Sequence, residues 1–258
     1  SIILKERSVK NIIKLSDVTM KQVSEGFNLS FKEKIELSKL LDKLGVSVIE
    51  LEPISQPKID ALRIKSVAAA VKHSAVAVPV ALNKESVQTT WNALKEAKKA
   101  RLQVPAAVSS VQMEYLFHKK PEAMLRAISQ ICALCRSVCA DVEFVADDAC
   151  RSEAGFLKDA ICSAIEAGVS TVTVCDTAGT MLPDEFANFV KQLYAQIPGL
   201  KNVCLGISCS NAMAMADACA IAAVQEGAGE IKAAAYPINT ASLSHTAQIL
   251  SARSDRLD

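Results

Sequence analysis

The residues best able to do chemistry in this sequence follow apolar, β-branched runs. The stretch ISCSNA is one example: Ser208, Ser210 and Asn211 lie between the apolar segment 203–207 and a long segment rich in alanine and methionine. Hydroxyl and amide groups at such a junction can cap a helix or hydrogen-bond a small polar ligand. The sequence predicts a strand-to-helix junction here, with either a capping or a binding role for the polar side chains.

Acidic, basic, hydroxyl and amide side chains recur at other junctions of this kind. They are Asp17, Thr19, Lys21, Gln22, Glu50, Glu52, Asn83, Ser109, Ser110, Gln112, Asp147, Asp148, Asp176, Thr177, Ser208, Ser210, Asn211, Tyr236 and Asn239. Each of them taken alone is more often a helix cap or a loop residue than part of a site. A site is indicated only if the fold brings them together.

Eight apolar runs are predicted to be strands, and each is followed by a helix-sized segment. The runs are 12–18, 46–52, 75–82, 101–109, 141–146, 170–176, 202–208 and 230–236. Eight such units in 258 residues are typical of a (β/α)8 TIM barrel, which we predict as a single domain over residues 1–258. A doubly wound sheet is the alternative, but segment 16–21 has no glycine for a phosphate-binding turn. In a barrel, the polar residues above meet at the rim, the carboxyl-terminal end of the strands.

Local signals predict where several helices begin and end. Ser30 opens a capping box, and Gly45 follows the last turn of that helix. Asn83 and Asn211 are placed to cap helices, and Pro183 suits the first turn of another. The apolar residues of the helix after Ser30 are predicted to share one face; they are Phe31, Ile35, Leu37, Leu40, Leu41 and Leu44.

Composition and charge argue against several classes of partner. The chain is 50% hydrophobic and only 4% aromatic, which suits buried parallel strands. Its formal net charge is +1, with lysines scattered among glutamates, so we expect no nucleic-acid partner and no membrane partner. Residues 1–15 are rich in charge and lack a signal-peptide core, so we expect a cytoplasmic protein.

The nine cysteines lie mostly within apolar stretches, and we interpret them as reduced thiols. The C-x2-C-x3-C spacing of Cys132, Cys135 and Cys139 could indicate a metal or cluster site. On a helix, however, positions i, i+3 and i+7 form one stripe, so we predict core packing for these three side chains.

Four stretches resemble one known family. They are 30–50 (SFKEKIELSKLLDKLGVSVIE), 94–115 (LKEAKKARLQVPAAVSSVQMEY), 142–157 (VEFVADDACRSEAGFL) and 175–186 (CDTAGTMLPDEF). The resemblance is to the catalytic barrel of the 2-isopropylmalate synthase and homocitrate synthase family, with 3-hydroxy-3-methylglutaryl-CoA lyase more distant. It runs over nearly the whole chain. It implies a TIM barrel, usually in a dimer, in which a divalent metal holds a 2-oxo acid while an acyl-CoA enolate attacks it.

The metal-binding motifs of that family are altered in this sequence. The first-strand motif D-T-T-L-R-D-G-E-Q matches residues 17–25, where Lys21 replaces the catalytic arginine and Gln22 replaces the ligand aspartate. The H-x-H pair matches Ser208 and Ser210, so hydroxyl groups replace both imidazole ligands. Neutral hydroxyl and amide groups are poor ligands for a dissociable divalent ion, so we expect no metal cofactor.

The remaining motifs imply a mixed set of site residues. By resemblance, Asp147 keeps an acid after the fifth strand, and Thr177 would bind a substrate carboxylate. Gln103 replaces a family histidine. We therefore predict Lys21 and Asp147 as catalytic residues. The predicted substrate-binding residues are Asp17, Glu50, Ser109, Asp176, Thr177, Ser208, Ser210 and Asn239.

Three functions are consistent with this pattern. The first is a barrel that has lost metal-dependent condensation and binds a small carboxylate or has a regulatory role, as a homodimer or paired with a homologue. The second is a metal-free enzyme that acts on a 2-oxo acid through a Schiff base on Lys21. The third is an acyltransferase or lyase with a rearranged metal site at Asp17, Glu50 and Asp147.

Overall fold

Eight parallel strands close into a barrel. This computed structural model describes residues 12–257, so residues 1–11, with much of the charged amino-terminal segment, and residue 258 lie outside it. The strands are β1 (Lys14–Asp17), β2 (Val48–Glu50), β3 (Ala75–Pro79), β4 (Ala100–Ala107), β5 (Asp141–Asp147), β6 (Thr171–Asp176), β7 (Cys204–Cys209) and β8 (Glu230–Ala234). They pair in chain order, and β1 pairs with both β2 and β8, which closes the sheet. The predicted (β/α)8 TIM barrel is confirmed.

Helices connect successive strands and pack on the outside of the barrel. They are α1 (Phe31–Leu44), α2 (Pro57–Ala70), α3 (Lys84–Leu94), α4 (Ser110–Gln112), α5 (Pro121–Val138), α6 (Ala154–Glu166), α7 (Pro183–Gln196), α8 (Ala216–Gln225), α9 (Leu243–Ala252) and α10 (Ser254–Leu257). Ile64 of α2, Ile128 of α5 and Phe186 of α7 are fully buried in the main apolar core. No helix among residues 12–257 is both long enough and apolar enough to cross a membrane.

Most of the predicted helix signals are confirmed. Ser30 Oγ accepts a hydrogen bond from the Glu33 amide, and the Glu33 carboxylate accepts one from the Ser30 amide, which completes the capping box. Gly45 ends α1 with a left-handed φ of 86°. Asn83 Oδ1 accepts a hydrogen bond from the Ser86 amide at 2.8 Å, and Pro183 is the first residue of α7.

The junction after β7 is longer than predicted. Ala214 adopts a left-handed φ of 57°, and α8 begins only at Ala216. Asn211 therefore does not directly precede the helix, although its Oδ1 still accepts a hydrogen bond from the Ala216 amide at 3.0 Å. A further two-residue strand, β9 (Ala241–Ser242), pairs with β8. It was not predicted because two residues carry no periodic signal.

The predicted single apolar face of α1 is wrong. Leu40 and Leu44 are 60% and 77% exposed, whereas Leu41 is buried. Asp42 faces inward because its carboxylate accepts three backbone amide hydrogen bonds from residues 72–74. Positions two residues away from Asp42 in either direction lie on the opposite side of a helix, which turns Leu40 and Leu44 outward.

Several predicted strands are too long. β2 covers only Val48–Glu50 of the predicted run 46–52, and β8 ends at Ala234 instead of residue 236. Single backbone hydrogen bonds continue on both sides of β2, from the Ser47 amide to the Leu15 carbonyl and from the Leu51 amide to the Ala77 carbonyl. By contrast, Cys132, Cys135 and Cys139 are all buried on or beside α5, as predicted, and all nine cysteines are free thiols.

The interior of the barrel contains charged side chains. Residues two apart on a strand point to the same face, which places Glu230 and Lys232 of β8 inside together. The Lys232 ammonium lies 2.7 Å from Glu50 Oε2 and 2.8 Å from Glu143 Oε2. It also lies 3.0 Å from Glu230 Oε2. We call the following buried residues the charged core: Glu50, Arg101, Gln103, Glu143, Glu230 and Lys232.

Arg101 supplies the second buried cation of the charged core. Its Nη1 lies 2.9 Å from Glu230 Oε2 and 3.2 Å from Glu143 Oε1, and its Nε lies 3.0 Å from Asp141 Oδ2. Although burial acts to lower the pKa of Lys232, the three surrounding glutamates hold it well above its usual value. The carboxylates likewise raise the pKa of Arg101, so both cations stay charged inside the barrel.

Gly206 of β7 leaves space for the hydroxyl group of Thr173, which hydrogen-bonds to the charged core. Thr173 Oγ1 donates a hydrogen bond to Glu143 Oε2 at 2.6 Å. A Cβ atom at Gly206 would collide with that hydroxyl group. The glycine in the sequence LGIS is therefore required by the packing of the charged core and not by a turn.

Lys232→Met is expected to destabilise the protein by about 3–5 kcal/mol, because it leaves three buried carboxylates without their shared cation. The measurement is urea unfolding followed by circular dichroism. Lys191→Met is the matched control, since Lys191 is exposed on α7. Equal stability of the two variants would contradict this role for Lys232.

Candidate functional site

A cavity of about 520 Å³ opens at the carboxyl-terminal rim of the barrel. Eight of the predicted site residues line it: Lys21, Glu50, Asp147, Asp176, Thr177, Ser208, Ser210 and Asn239. Gln103, Thr173, Cys175 and Lys232 line it as well, so the cavity floor is continuous with the interior of the barrel. The fold thus brings together most of the polar residues that are far apart in sequence.

Lys21 connects the charged core to the cavity. It ends a short 3-10 turn, Thr19–Lys21, directly after β1. Its Nζ lies 3.1 Å from Glu50 Oε1 and 3.4 Å from Gln103 Oε1, and its side chain is 28% exposed. Burial acts to raise the pKa of Glu50, but the ammonium groups of Lys232 and Lys21 hold it well below its usual range. Glu50 is therefore a carboxylate, and Lys21 pairs with it and not with Asp17.

Asp147 is the carboxyl group of the cavity with the weakest hydrogen bonding. Its one side-chain contact is a weak hydrogen bond from Cys175 Sγ at 3.9 Å, and no cation among residues 12–257 lies within 4.0 Å of its carboxylate. Burial raises the pKa of Asp147 to about 6, although the charge of Lys21 acts to lower it. A carboxyl group with this pKa can donate or accept a proton near neutral pH.

Two predicted binding residues do not line the cavity. Asp17 is fully buried, and its carboxylate accepts hydrogen bonds from the amide of Thr19 at 3.1 Å, from Thr19 Oγ1 at 2.8 Å and from the amide of Ala235 at 3.2 Å. Burial raises the pKa of Asp17 to about 6. Ser109 Oγ is buried and donates to Asp148 Oδ2 at 2.7 Å. These two side chains hold rim loops in place.

Asp176 and Thr177 line the cavity, and each side chain accepts a hydrogen bond from a backbone amide. Asp176 Oδ1 accepts a hydrogen bond from the Gly179 amide at 3.1 Å, and burial raises its pKa. Thr177 Oγ1 accepts a hydrogen bond from the Asp148 amide at 3.0 Å. The Thr177 hydroxyl proton is left to donate to a ligand.

The rim loop 235–239 is tied down by the side chain of Gln22. Gln22 Nε2 donates to the Tyr236 carbonyl at 2.8 Å, and Gln22 Oε1 accepts from the Ile238 amide at 2.9 Å. The ring of Tyr236 stacks on Phe27 with 5.4 Å between centroids. Both polar ends of the Gln22 amide are therefore used in holding this loop to the loop after β1.

The same loop is held from the other side by the ISCSNA stretch. Ser210 Oγ donates to Asn239 Oδ1 at 3.1 Å, and the Asn211 amide donates to the same oxygen at 2.8 Å. Ser208 lines the cavity from β7 and is partly exposed. Of the two serines, only Ser208 has a hydroxyl group without a side-chain partner among the described residues.

Lys232 was missed by the sequence analysis, although it lines the cavity and organises the charged core. The signal was present in the predicted strand 230–236, where Glu230 and Lys232 alternate with apolar residues. Alternation of this kind predicts one polar face of a strand. The alternation does not predict that the polar face points into the barrel, where charged side chains are uncommon.

The chain belongs to the HMGL-like family of TIM-barrel proteins, since the family model matches residues 13–236. It is 33% identical over 221 residues to 2-isopropylmalate synthase of Pelotomaculum thermopropionicum, covering 84% of this chain and 44% of that protein. It is 30% identical over 256 residues to 2-isopropylmalate synthase of Caulobacter vibrioides, covering 97% of this chain and 49% of that protein. The chain thus spans less than half the length of these curated relatives.

The solved structures with a similar barrel include the HMG-CoA lyase of Brucella melitensis. The TM-score to it is 0.77 at 14% sequence identity, and the match covers 96% of this chain and 95% of that one. At this identity the match establishes the fold alone.

Asp147 is expected to titrate with a pKa of about 6, measurable by carboxyl ¹³C chemical shifts in protein labelled at aspartate, with Asp147→Asn for assignment. Lys21→Met should move this pKa higher, because the lysine charge lowers it. The folded pKa lies above that of the unfolded chain, so stability from the protonated carboxyl is present at low pH and is lost as pH rises through about 6. A pKa near 4 in the parent protein would contradict the burial argument.

Proposed function

We propose that this barrel binds a small carboxylate, such as a 2-oxo acid, in the rim cavity and no longer performs the metal-dependent condensation implied by the family resemblance. The pairing as a homodimer or with a homologue, and the cytoplasmic location, stay predictions. The observation that carries the proposal is the double hydrogen bond of Gln22 to the loop 235–239.

The residues at the family's metal-binding positions do not fit a divalent metal. Both ends of the Gln22 amide are occupied by backbone groups, and the Ser210 hydroxyl is bonded to Asn239. All of these groups are neutral, whereas hard divalent ions favour carboxylate and imidazole ligands. Within residues 12–257, no group of three or more histidine, cysteine, aspartate or glutamate side chains has the geometry to hold a metal ion.

The rearranged metal site considered from the sequence, at Asp17, Glu50 and Asp147, has little structural support. Asp17 lies outside the cavity with its oxygens hydrogen-bonded to Thr19 and Ala235. Glu50 is already paired with two ammonium groups, those of Lys21 and Lys232. Of the three carboxyl groups, only Asp147 faces the cavity without a strong partner.

The cavity provides donors for a carboxylate. The Lys21 ammonium is partly exposed, and the hydroxyl groups of Thr177 and Ser208 line the same space. Asp147 adds a donor only when it is protonated, since an ionised Asp147 would repel an anion. Binding of a carboxylate should therefore be coupled to proton uptake by Asp147.

A Schiff base on Lys21 is the alternative, enzymatic function. The nucleophile in that reaction is the neutral amine, which requires loss of the lysine proton. The Lys21 nitrogen already forms a salt bridge with the Glu50 carboxylate at 3.1 Å, which attack on a carbonyl group would have to break. A binding role for Lys21 therefore has more support than covalent chemistry.

The parent protein is expected to bind no stoichiometric Mn²⁺ in isothermal titration calorimetry. The triple variant Gln22→Asp, Ser208→His, Ser210→His should bind Mn²⁺ at least about tenfold more tightly than the parent, because it restores one carboxylate and two imidazoles. Ser129→His with Ser137→His is the matched control, since it adds two imidazoles on the exposed side of α5. One tightly held equivalent of divalent metal in the parent protein would overturn the proposal.

Pyruvate and 2-oxobutyrate are expected to bind the parent protein in calorimetry, with affinity falling about tenfold between pH 5 and pH 7 as Asp147 ionises. Lys21→Met should weaken binding by about tenfold or more, and Lys191→Met should leave it unchanged. Asp147→Asn should remove the pH dependence. Trapping of either acid on Lys21 by borohydride would favour the enzymatic alternative, and absence of any binding would remove the carboxylate site.

A further inference from the structure

A second cavity, of about 690 Å³, opens at the opposite, amino-terminal end of the barrel. It lies between the loop 95–99, the starts of β2 to β5 and the end of α5. Its volume falls in the range of about 300–1,000 Å³ that is usual for small-molecule sites. This cavity shares no lining residue with the rim cavity, and its ligand would be independent of the proposed carboxylate site.

The opening of this cavity is basic. Lys95, Lys98 and Lys99 line it and are exposed, and no carboxylate among residues 12–257 lies within 4.0 Å of their ammonium groups. Glu96, in the same loop, does not line the cavity. The carboxylate that does line it, Asp141, is already bonded to Arg101 and to Ser170 Oγ. The cavity therefore has an excess of positive charge although the chain as a whole is nearly neutral.

Arg101 lines the floor of the cavity and has one guanidinium nitrogen without an acceptor among residues 12–257. Arg101 is only 2% exposed and lines the cavity. Its Nε and Nη1 donate to Asp141, Glu143 and Glu230, but Nη2 has no acceptor among residues 12–257. Among residues 12–257 the fully enclosed side-chain nitrogen without a partner is Arg63 Nη1, so Arg101 Nη2 keeps a small exposed area. A guanidinium held in this way is a fixed donor for a phosphate or carboxylate oxygen.

The wall of the cavity carries the only tryptophan of the chain, Trp91, which is partly buried. Indole rings stack on aromatic ligands, and lysines beside them bind the anionic groups of the same ligand. From this combination we infer that the amino-terminal cavity binds an aromatic ligand that carries phosphate, of the mononucleotide class. Trp91 contacts the base, and Arg101 Nη2 with the lysines of the loop 95–99 contacts the phosphate.

The test uses the fluorescence of Trp91 in the intact protein, titrated with AMP at low ionic strength. AMP should produce a saturable change, and adenosine and inorganic phosphate should each bind about tenfold or more weakly, because each supplies only half of the contacts. Added salt should weaken AMP binding, since the lysines are exposed. Free N-acetyltryptophanamide corrects for absorption by the nucleotide.

Two pairs of variants distinguish binding at this cavity from a general effect of the protein's positive charge. Lys98→Gln with Lys99→Gln should weaken AMP binding by about tenfold, whereas Lys158→Gln with Lys191→Gln, which removes two exposed lysines elsewhere, should leave it unchanged. Lys21→Met should also leave it unchanged, since Lys21 lies in the rim cavity. Phosphate binding as tightly as AMP would overturn the mononucleotide class. No saturable AMP signal, or equal weakening by both lysine pairs, would overturn the site.

Discussion

The Lys232 ammonium, enclosed by the carboxylates of Glu50, Glu143 and Glu230, is the interaction on which the centre of this barrel depends. Most barrels of this kind fill the same space with branched apolar side chains. Here the interior layer is ionic, and it is stable only if every charge has a partner, because an uncompensated charge in this environment is costly. Arg101, toward the amino-terminal end of the barrel, and Lys21, toward the rim, are the other two cations. Three cations therefore face three buried glutamates.

The pairing of these charges determines which ionisable groups remain without a partner at each end of the barrel. At the rim, Lys21 and Lys232 balance Glu50, so Asp147 has no cation within 4.0 Å among residues 12–257, and burial raises its pKa. At the amino-terminal end, Arg101 uses two of its nitrogens for ion pairs, and its Nη2 has no acceptor among residues 12–257. The two cavities thus have opposite properties: one has an isolated acid, and the other has an excess of basic groups.

Gln22 and Ser210, which lie on different loops of the rim, share one structural task. Gln22 and Ser210 both bond to the loop 235–239, one from each side. Hydrogen bonds of this kind are short-range and directional, and they hold the rim loops together. The loops after β1, β7 and β8 are thereby bonded to one another at the rim.

The amino-acid sequence by itself determined the barrel, because strand and helix periodicities, the capping box at Ser30 and the left-handed Gly45 are local features that act over a few residues. It also determined which polar residues reach the rim, since those after a barrel strand meet at one end. It did not separate Asp17 and Ser109, which hold loops, from Asp147, which faces the cavity, because their environments depend on partners far away in the chain. Only the tertiary structure decided that Glu230 and Lys232 point inward. The reason is that the free energy of a buried charge depends on the neighbours that three-dimensional packing supplies.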